Sequence, residues 1–209
     1  MKLAFIGIGK VGFALANQFQ KRGHEVIVAR DDPKSKSVVE ALSKNSAFEV
    51  LAIQEAINAA DVIFLATPFG FNKDILAPLD FKGKPLIDCT NPVGPGISHG
   101  LESKVSGAEK INEWATHARI VKSYTIYGFE NLENTSFPNH NTKPVMLIAG
   151  DDQDAKNTVS KLNTDLGFET LDTGGLAQAL HLEHMTLLWV KMVRVGGHHP
   201  NFTWGYLER

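Results

Sequence analysis

Short runs that are apolar at nearly every position, rather than at alternate ones, recur through the first half of this chain. "KLAFIGI" (2–8), "HEVIVA" (24–29), "DVIFLAT" (61–67) and "KPLIDCT" (84–90) read as strands, with "FEV" (48–50) as a shorter one. A strand with no polar face has no side to turn to water, so it belongs inside a sheet covered on both faces. The intervening segments supply the cover. "VGFALANQFQKRG" places Val11, Leu15, Ala16 and Phe19 on one helical face and stops at Gly23. "PKSKSVVEALSK" reads as a helix opened by Pro33 in its first turn, and "LAIQEAINAA" and "GFNKDILAPL" continue the alternation. Buried strands separated by helices predict a largely parallel sheet with a helical layer on each side.

From Asn91 to Gly107 the residues Pro92, Gly94, Pro95, Gly96 and Gly100 predict a loop, placed over a ligand. The alternation then resumes with a helix near 107–116, strands at "ARIVKSY" and "KPVMLIAG", a helix over 152–166 and a strand at "FETLD". "LAQALHLEHMTLLWVKMV" reads as one long helix, apolar on most sides, followed by the tail "NFTWGYLER". The expected division is a nucleotide-binding domain over 1–174 and a C-terminal helix and tail over 175–209, serving packing or dimerisation.

"GIGKVG" gives Gly7, Gly9 and Gly12 the G-x-G-x-x-G spacing. The spacing is weak by itself, but here it leaves a strand and opens a helix. In that context Gly7 makes the tight turn, Gly9 admits a pyrophosphate to the backbone, and Gly12 lets helix and strand close. The helix N-terminus offers unpaired N–H groups to the phosphates, and Ile8, Lys10 and Val11 complete the loop. The fold class expected is therefore α/β, a Rossmann-type doubly wound, mostly parallel sheet with a C-terminal helical element.

The end of the second strand bears on the cofactor. A carboxylate there grips the ribose hydroxyls of NAD, whereas an arginine accommodates the 2′-phosphate of NADP. The chain has Arg30, then Asp31 and Asp32, with Lys34 and Lys36 beyond. Arg30 and Lys34 favour NADP(H); Asp31 keeps NAD(H) open. Strand four ends in Ala66, Thr67, Pro68 and Phe69, expected against the nicotinamide-side ribose. Strand five leads to Asn91, Pro92 and Val93, expected near the nicotinamide ring.

A formal charge of -2 over 209 residues, without a basic stripe, argues against nucleic acid and against an anionic membrane as partners. No run approaches the roughly 18 apolar residues of a membrane span. Gly7, Gly9 and Lys10 interrupt what superficially resembles a leader, and the expected location is cytoplasmic. Cys89, the single cysteine, reads as a buried thiol. His181 and His184 share a helical face and His198 and His199 follow, but no third ligand has diagnostic spacing, so no metal is expected. Trp114, Trp189 and Trp204 read as packing residues, and "ENLENTSFPNHNTKP" (130–144) as a surface loop.

With these residues in place, the chain resembles the NADPH-dependent coenzyme F420 reductases and their dinucleotide-binding relatives. It is also similar to the cytoplasmic domain of six-transmembrane metalloreductases and, more distantly, to the N-terminal domain of pyrroline-5-carboxylate reductases. The resemblance runs through "FIGIGKVGFALA", "GHEVIVA", "ADVIFLATPF", "LIDCTNPV", "VKSYTIYGFENL", "AGDDQDAKNTV", "DLGFETLDTG" and the closing "NFTWGYLER". It implies hydride transfer between NADPH and a small or flavin-like acceptor; the C-terminal helix is expected to join two copies as a homodimer. Members carry a Ser-Arg pair for the 2′-phosphate where this chain has Arg30-Asp31. An imine or ketone reductase, needing a proton donor such as Thr90, Lys122 or Tyr124, and a non-catalytic nucleotide sensor are the alternatives.

Overall fold

The computed structural model describes residues 1–138 and 140–209. The chain runs β1 (Lys2–Ile6), α1 (Lys10–Lys21), β2 (Glu25–Ala29), α2 (Lys36–Lys44), β3 (Glu49–Leu51), α3 (Ile53–Ala59) and β4 (Val62–Leu65). A 3-10 turn at Phe69–Phe71 leads to α4 (Asn72–Leu76) and β5 (Pro85–Asp88). A two-stranded ribbon, β6 (Val93–Gly94) and β7 (Ser98–His99), precedes α5 (Gly107–Trp114) and β8 (Arg119–Lys122). The one-turn α6 (Glu130–Glu133), β9 (Val145–Gly150), α7 (Gln153–Leu166), β10 (Glu169–Asp172) and α8 (Ala179–Arg194) complete it.

Eight strands form one sheet in the order β10-β9-β8-β5-β4-β1-β2-β3. Six of them, in the order β3-β2-β1-β4-β5-β8, reproduce the 3-2-1-4-5-6 order of a dinucleotide fold, all parallel. β9 runs antiparallel to β8, and β10 follows β9. The order reverses between β1 and β4, which pair from Leu3↔Val62 to Ile6↔Leu65. Chains leaving the tops of these two strands turn to opposite faces of the sheet, and a crevice opens between them.

β1 and β4 lie in the core of the sheet. Leu3, Ala4, Phe5, Ile63, Phe64 and Leu65 have no exposed surface, and Phe5 stacks on Phe64 at 4.5 Å. α1 lays Leu15, Ala16 and Phe19 on this core, the face that its spacing predicts.

Several boundaries differ from expectation. α2 begins at Lys36, because Asp32 accepts from the backbone of Lys34 and Ser35 and folds residues 32–35 into a turn; Pro33 lies in that turn. The stretch expected as a surface loop at 130–144 includes α6, with Asn131 and Leu132 buried; Asn139 of that stretch lies outside the described residues. The loop after β5 is ordered as the β6–β7 ribbon. α8 packs on α5, β7 and β9, and no helix among the described residues is long and apolar enough to cross a membrane.

Candidate functional site

The glycine loop lies at the top of β1, against the chain leaving β4. Gly7 has φ +97°, and a Cβ there would stand 2.7 Å from the Ala66 carbonyl carbon. A Cβ on Gly12 would stand 2.1 Å from the Gly7 carbonyl oxygen, so α1 meets β1 backbone to backbone. A Cβ on Gly9 would meet nothing within 4 Å. Two glycines close the turn and the middle one faces open space at the first turn of α1. That is a cradle for a group as bulky as a pyrophosphate.

Ile8 is buried beneath the loop, Val11 packs half-buried on the core, and Lys10 is exposed with its Nζ 4.9 Å from the centre of the Phe129 ring. A hollow of about 290 Å³ opens beside Gly9 and Lys10, between Phe13 and Phe129. On the other side, Arg30, Thr67, Pro68, Phe71, Asp74 and Ile75 enclose about 410 Å³. The adjoining space of about 330 Å³ has Arg30, Asp31, Ile53 and Ile75 on its walls. Another hollow, of about 260 Å³ between Thr142–Pro144 and Asn201–Gly205, shares no residue with these.

Arg30 is exposed at the crevice mouth. Asp31 turns its Oδ1 to the backbone N–H of Ile53 at 2.9 Å, satisfying the first turn of α3, which has Ala52 where a capping side chain would stand. Lys34 is exposed in the turn closed by Asp32. One oxygen of the carboxylate that could grip a ribose is thus already engaged by the protein's own backbone. Thr67 is half-buried and donates to Asn72 Oδ1; Phe69 is turned to Trp114 of α5, ring centres 5.7 Å apart. Phe71, 64% exposed, is the phenylalanine on the cleft wall. Asn91 is half-buried, Pro92 buried and Val93 exposed at the start of the ribbon. Thr186 Oγ1 lies 3.1 Å from Asn91 Oδ1 and 2.8 Å from the Thr125 carbonyl oxygen.

Behind Thr90 and Asn91 is a buried polar network that the sequence reading did not assemble. Lys122, at the end of β8, donates to Asp88 Oδ2 at 2.8 Å, to Glu183 Oε1 at 3.0 Å and to the Thr90 carbonyl. An ammonium has three N–H bonds, and all three are taken. Asp88 Oδ1 accepts from the N–H and the hydroxyl of Thr90, at 2.8 and 2.7 Å. Glu183 accepts from Gly107 N at 3.0 Å and Ala108 N at 3.3 Å, the first turn of α5, and meets His99 Nε2 at 2.8 Å. Asn72 joins Thr90 to Thr67, so the polar chain runs from the top of β4 to α8.

Burial by itself would lower the Lys122 pKa, but Asp88 and Glu183 lift it above the ordinary lysine value. For Glu183 burial pushes upward, and Lys122, the Gly107 N–H and His99 pull it below the usual carboxyl value. Both groups are held charged. Lys122 therefore has no N–H to offer a substrate. Tyr124, buried at φ +57° with a hydroxyl that finds no partner, has its pKa pushed well up by burial. Neither has the geometry of the proton donor that an imine or ketone reductase would need, and Thr90 is occupied by Asp88.

His181 and His184 are exposed on α8, and the His184 ring stacks on His99 at 5.4 Å. Among the described residues no group of three or more His, Cys, Asp or Glu side chains is arranged to hold a metal. Cys89 is buried, its pKa raised by that burial.

The chain is 28% identical over 187 residues to the metalloreductase STEAP3 of Rattus norvegicus, a match covering 89% of this chain and 36% of that protein. It therefore spans little more than a third of the length of this curated relative. A solved structure from Arthrobacter sp., provisionally described as an F420-dependent NADP reductase, superposes with a TM-score of 0.81 over the whole of both chains at 24% identity. A reductive aminase from Aspergillus terreus, solved with NADPH, superposes with a TM-score of 0.65 over 94% of this chain and 62% of its own at 21% identity. These likenesses establish the fold. Residues 2–92, from β1 through the loop beyond β5 and including the whole glycine cradle, match the family described as NADP oxidoreductase, coenzyme F420-dependent.

Proposed function

We propose that the protein is an NADP(H)-dependent oxidoreductase that passes a hydride between NADPH and a small or flavin-like acceptor. The observation carrying this reading is the cradle at the topological switch point: Gly7 and Gly12 closed against backbone, Gly9 open. Gly7 to Gly12 hold the pyrophosphate, with the first turn of α1 supplying N–H groups. Arg30, with Lys34, holds the 2′-phosphate, and the engagement of Asp31 by α3 supports NADP(H) over NAD(H). Ala66, Thr67 and Pro68 border the nicotinamide-side ribose, Phe69 being packed on Trp114 instead, and Asn91, Pro92 and Val93 border the ring. Bound NADPH supplies the hydride; the chain's own contribution is to bind, orient and exclude water.

The commitment of every Lys122 N–H argues against an imine reductase, and an acceptor whose own ring takes up the hydride needs no donor here. Residues 1–174 form the nucleotide-binding unit on this reading. The helix and tail over 175–209 form a packing unit, whose exposed Leu188 and Val195 suit a second copy of the chain.

Titration with NADPH and NADH, read by tryptophan quenching, tests the reading. NADPH is expected to bind at least about tenfold tighter, and Arg30→Ala to abolish the preference, a loss of roughly 1.4 kcal/mol or more. Equal binding of NADH would return the site to Asp31. Binding of neither would end the enzyme reading. A screen of flavins, a deazaflavin and quinones then identifies the acceptor.

A further inference from the structure

The network behind Thr90 carries an uneven charge. Its side chains are at most 2% exposed, and it contains two carboxylates, Asp88 and Glu183, against one ammonium, Lys122. His99 does not restore the balance. Its Nδ1 accepts from the backbone N–H of Leu101 at 3.3 Å and of Ser103 at 3.2 Å, which leaves the ring's proton on Nε2, donated to Glu183. A second proton on Nδ1 would face those two N–H groups. The first turn of α5 offsets the excess through the N–H groups of Gly107 and Ala108, but with partial charge only. One negative charge remains, buried, where solvent screens it least.

Its location is specific. Asp88 ends β5 two residues before Thr90, and Glu183 lies one turn of α8 before Thr186, which holds Asn91. The excess therefore lies directly behind Thr90 and Asn91. We propose that this buried negative charge selects the redox state of the bound cofactor, favouring the cationic ring of NADP+ over the neutral ring of NADPH. The inference rests on the assignment of Asn91, Pro92 and Val93 to the nicotinamide end.

Losing a hydride, two electrons with one proton, converts the neutral ring to a cation, and the acceptor takes up that hydride. A charge that stabilises the cation makes the bound cofactor a stronger reductant. The ratio of the two affinities measures this directly: each tenfold preference for NADP+ lowers the two-electron potential of the bound couple by about 30 mV. With an effective dielectric between about 20 and about 40 and a separation of roughly 12 Å, removing one unit charge changes such a ratio about three- to tenfold.

Calorimetric titration with NADP+, NADPH and adenosine 2′,5′-bisphosphate decides the matter, with a thermal melt of each variant to report folding. The wild-type chain is expected to bind NADP+ at least about threefold tighter than NADPH. Glu183→Gln, which keeps the shape and removes the charge, should lower that ratio about three- to tenfold and leave the bisphosphate unaffected. A folded Glu183→Gln protein with an unchanged ratio overturns the inference, as does wild-type protein that binds NADPH as tightly as NADP+. Should Glu183→Gln fail to fold, the wild-type ratio decides alone. If none of the three ligands binds, the nucleotide-binding reading falls and takes the inference with it; binding with the wrong ratio sinks the inference only.

Discussion

Replacing Lys122 with methionine is the sharpest probe of the buried network. The two side chains have similar length and volume, so packing is nearly conserved and the change is chiefly the loss of a cation. Lys122 Nζ holds Asp88 at 2.8 Å and Glu183 at 3.0 Å. Without it, two carboxylates face one another with at most 1% exposure between them. Removing one partner of a buried ion pair costs about 3–5 kcal/mol, because an uncompensated charge stays in low dielectric. A chain of this size loses roughly 2–4 °C of Tm per kcal/mol, so the midpoint should fall by roughly 6–20 °C. The pH dependence separates charge from packing. In the variant, burial and mutual repulsion raise the carboxyl pKa values, so acidification neutralises one of them and relieves the strain. Circular dichroism melts at pH 7.5 and pH 5.5 should show a smaller deficit at the lower pH. A deficit under about 3 °C, or one equal at both pH values, would refute the reasoning, since a cavity does not titrate.

Two further outcomes follow from the same geometry. Gly12→Ala forces a Cβ to 2.1 Å from the Gly7 carbonyl and should cost about 1–3 kcal/mol, whereas Gly9→Ala meets nothing within 4 Å. Melts should separate the two, while calorimetry with NADPH should show both weakened about tenfold or more, Gly9→Ala by obstructing the cradle alone. Stability against pH should show a broad neutral plateau. Glu183, whose pKa is lowered on folding, contributes above its ordinary value of 4.5 and loses that contribution as pH falls through the lower folded value. Lys122, raised on folding, contributes fully below its ordinary 10.5 and loses this as pH rises through the higher folded value. Denaturant midpoints from pH 3 to pH 11 would show both limbs, and Glu183→Gln should flatten the acid one.

The parallel half of the sheet was legible because burial on both faces leaves a direct trace in sequence: "DVIFLAT" has no polar alternation to offer water. The reversal at β9 left a trace of another kind. A parallel neighbour needs a crossover of a dozen or more residues, usually helical, and the described residues between β8 and β9 supply only the one turn of α6. The missing helix is visible between "ARIVKSY" and "KPVMLIAG", and it argues for an antiparallel partner. The glycine spacing gave the cradle, because each of its three positions answers to a local requirement. Asp31 was ambiguous for the opposite reason: what commits it is the Ile53 N–H of α3, 22 residues on, and only the fold brings it near.

The buried charges show the same boundary between local and distant causes. Asp88 and Lys122 directly follow the apolar strand residues Leu86-Ile87 and Ile120-Val121, Glu183 follows Leu182 on a helix apolar on most sides, and a charge in such a place demands a partner. That demand is readable in the sequence; the partners' identities are not, since they lie 34 and 61 residues from Lys122. Nor is the arithmetic of the cluster. Counted along the chain, His99 looks able to balance the second carboxylate. Only the two backbone N–H groups aimed at its Nδ1 deny it that proton. Whether an excess of negative charge remains beneath Thr90 and Asn91 is therefore decided by loop geometry at residues 99–103, not by composition.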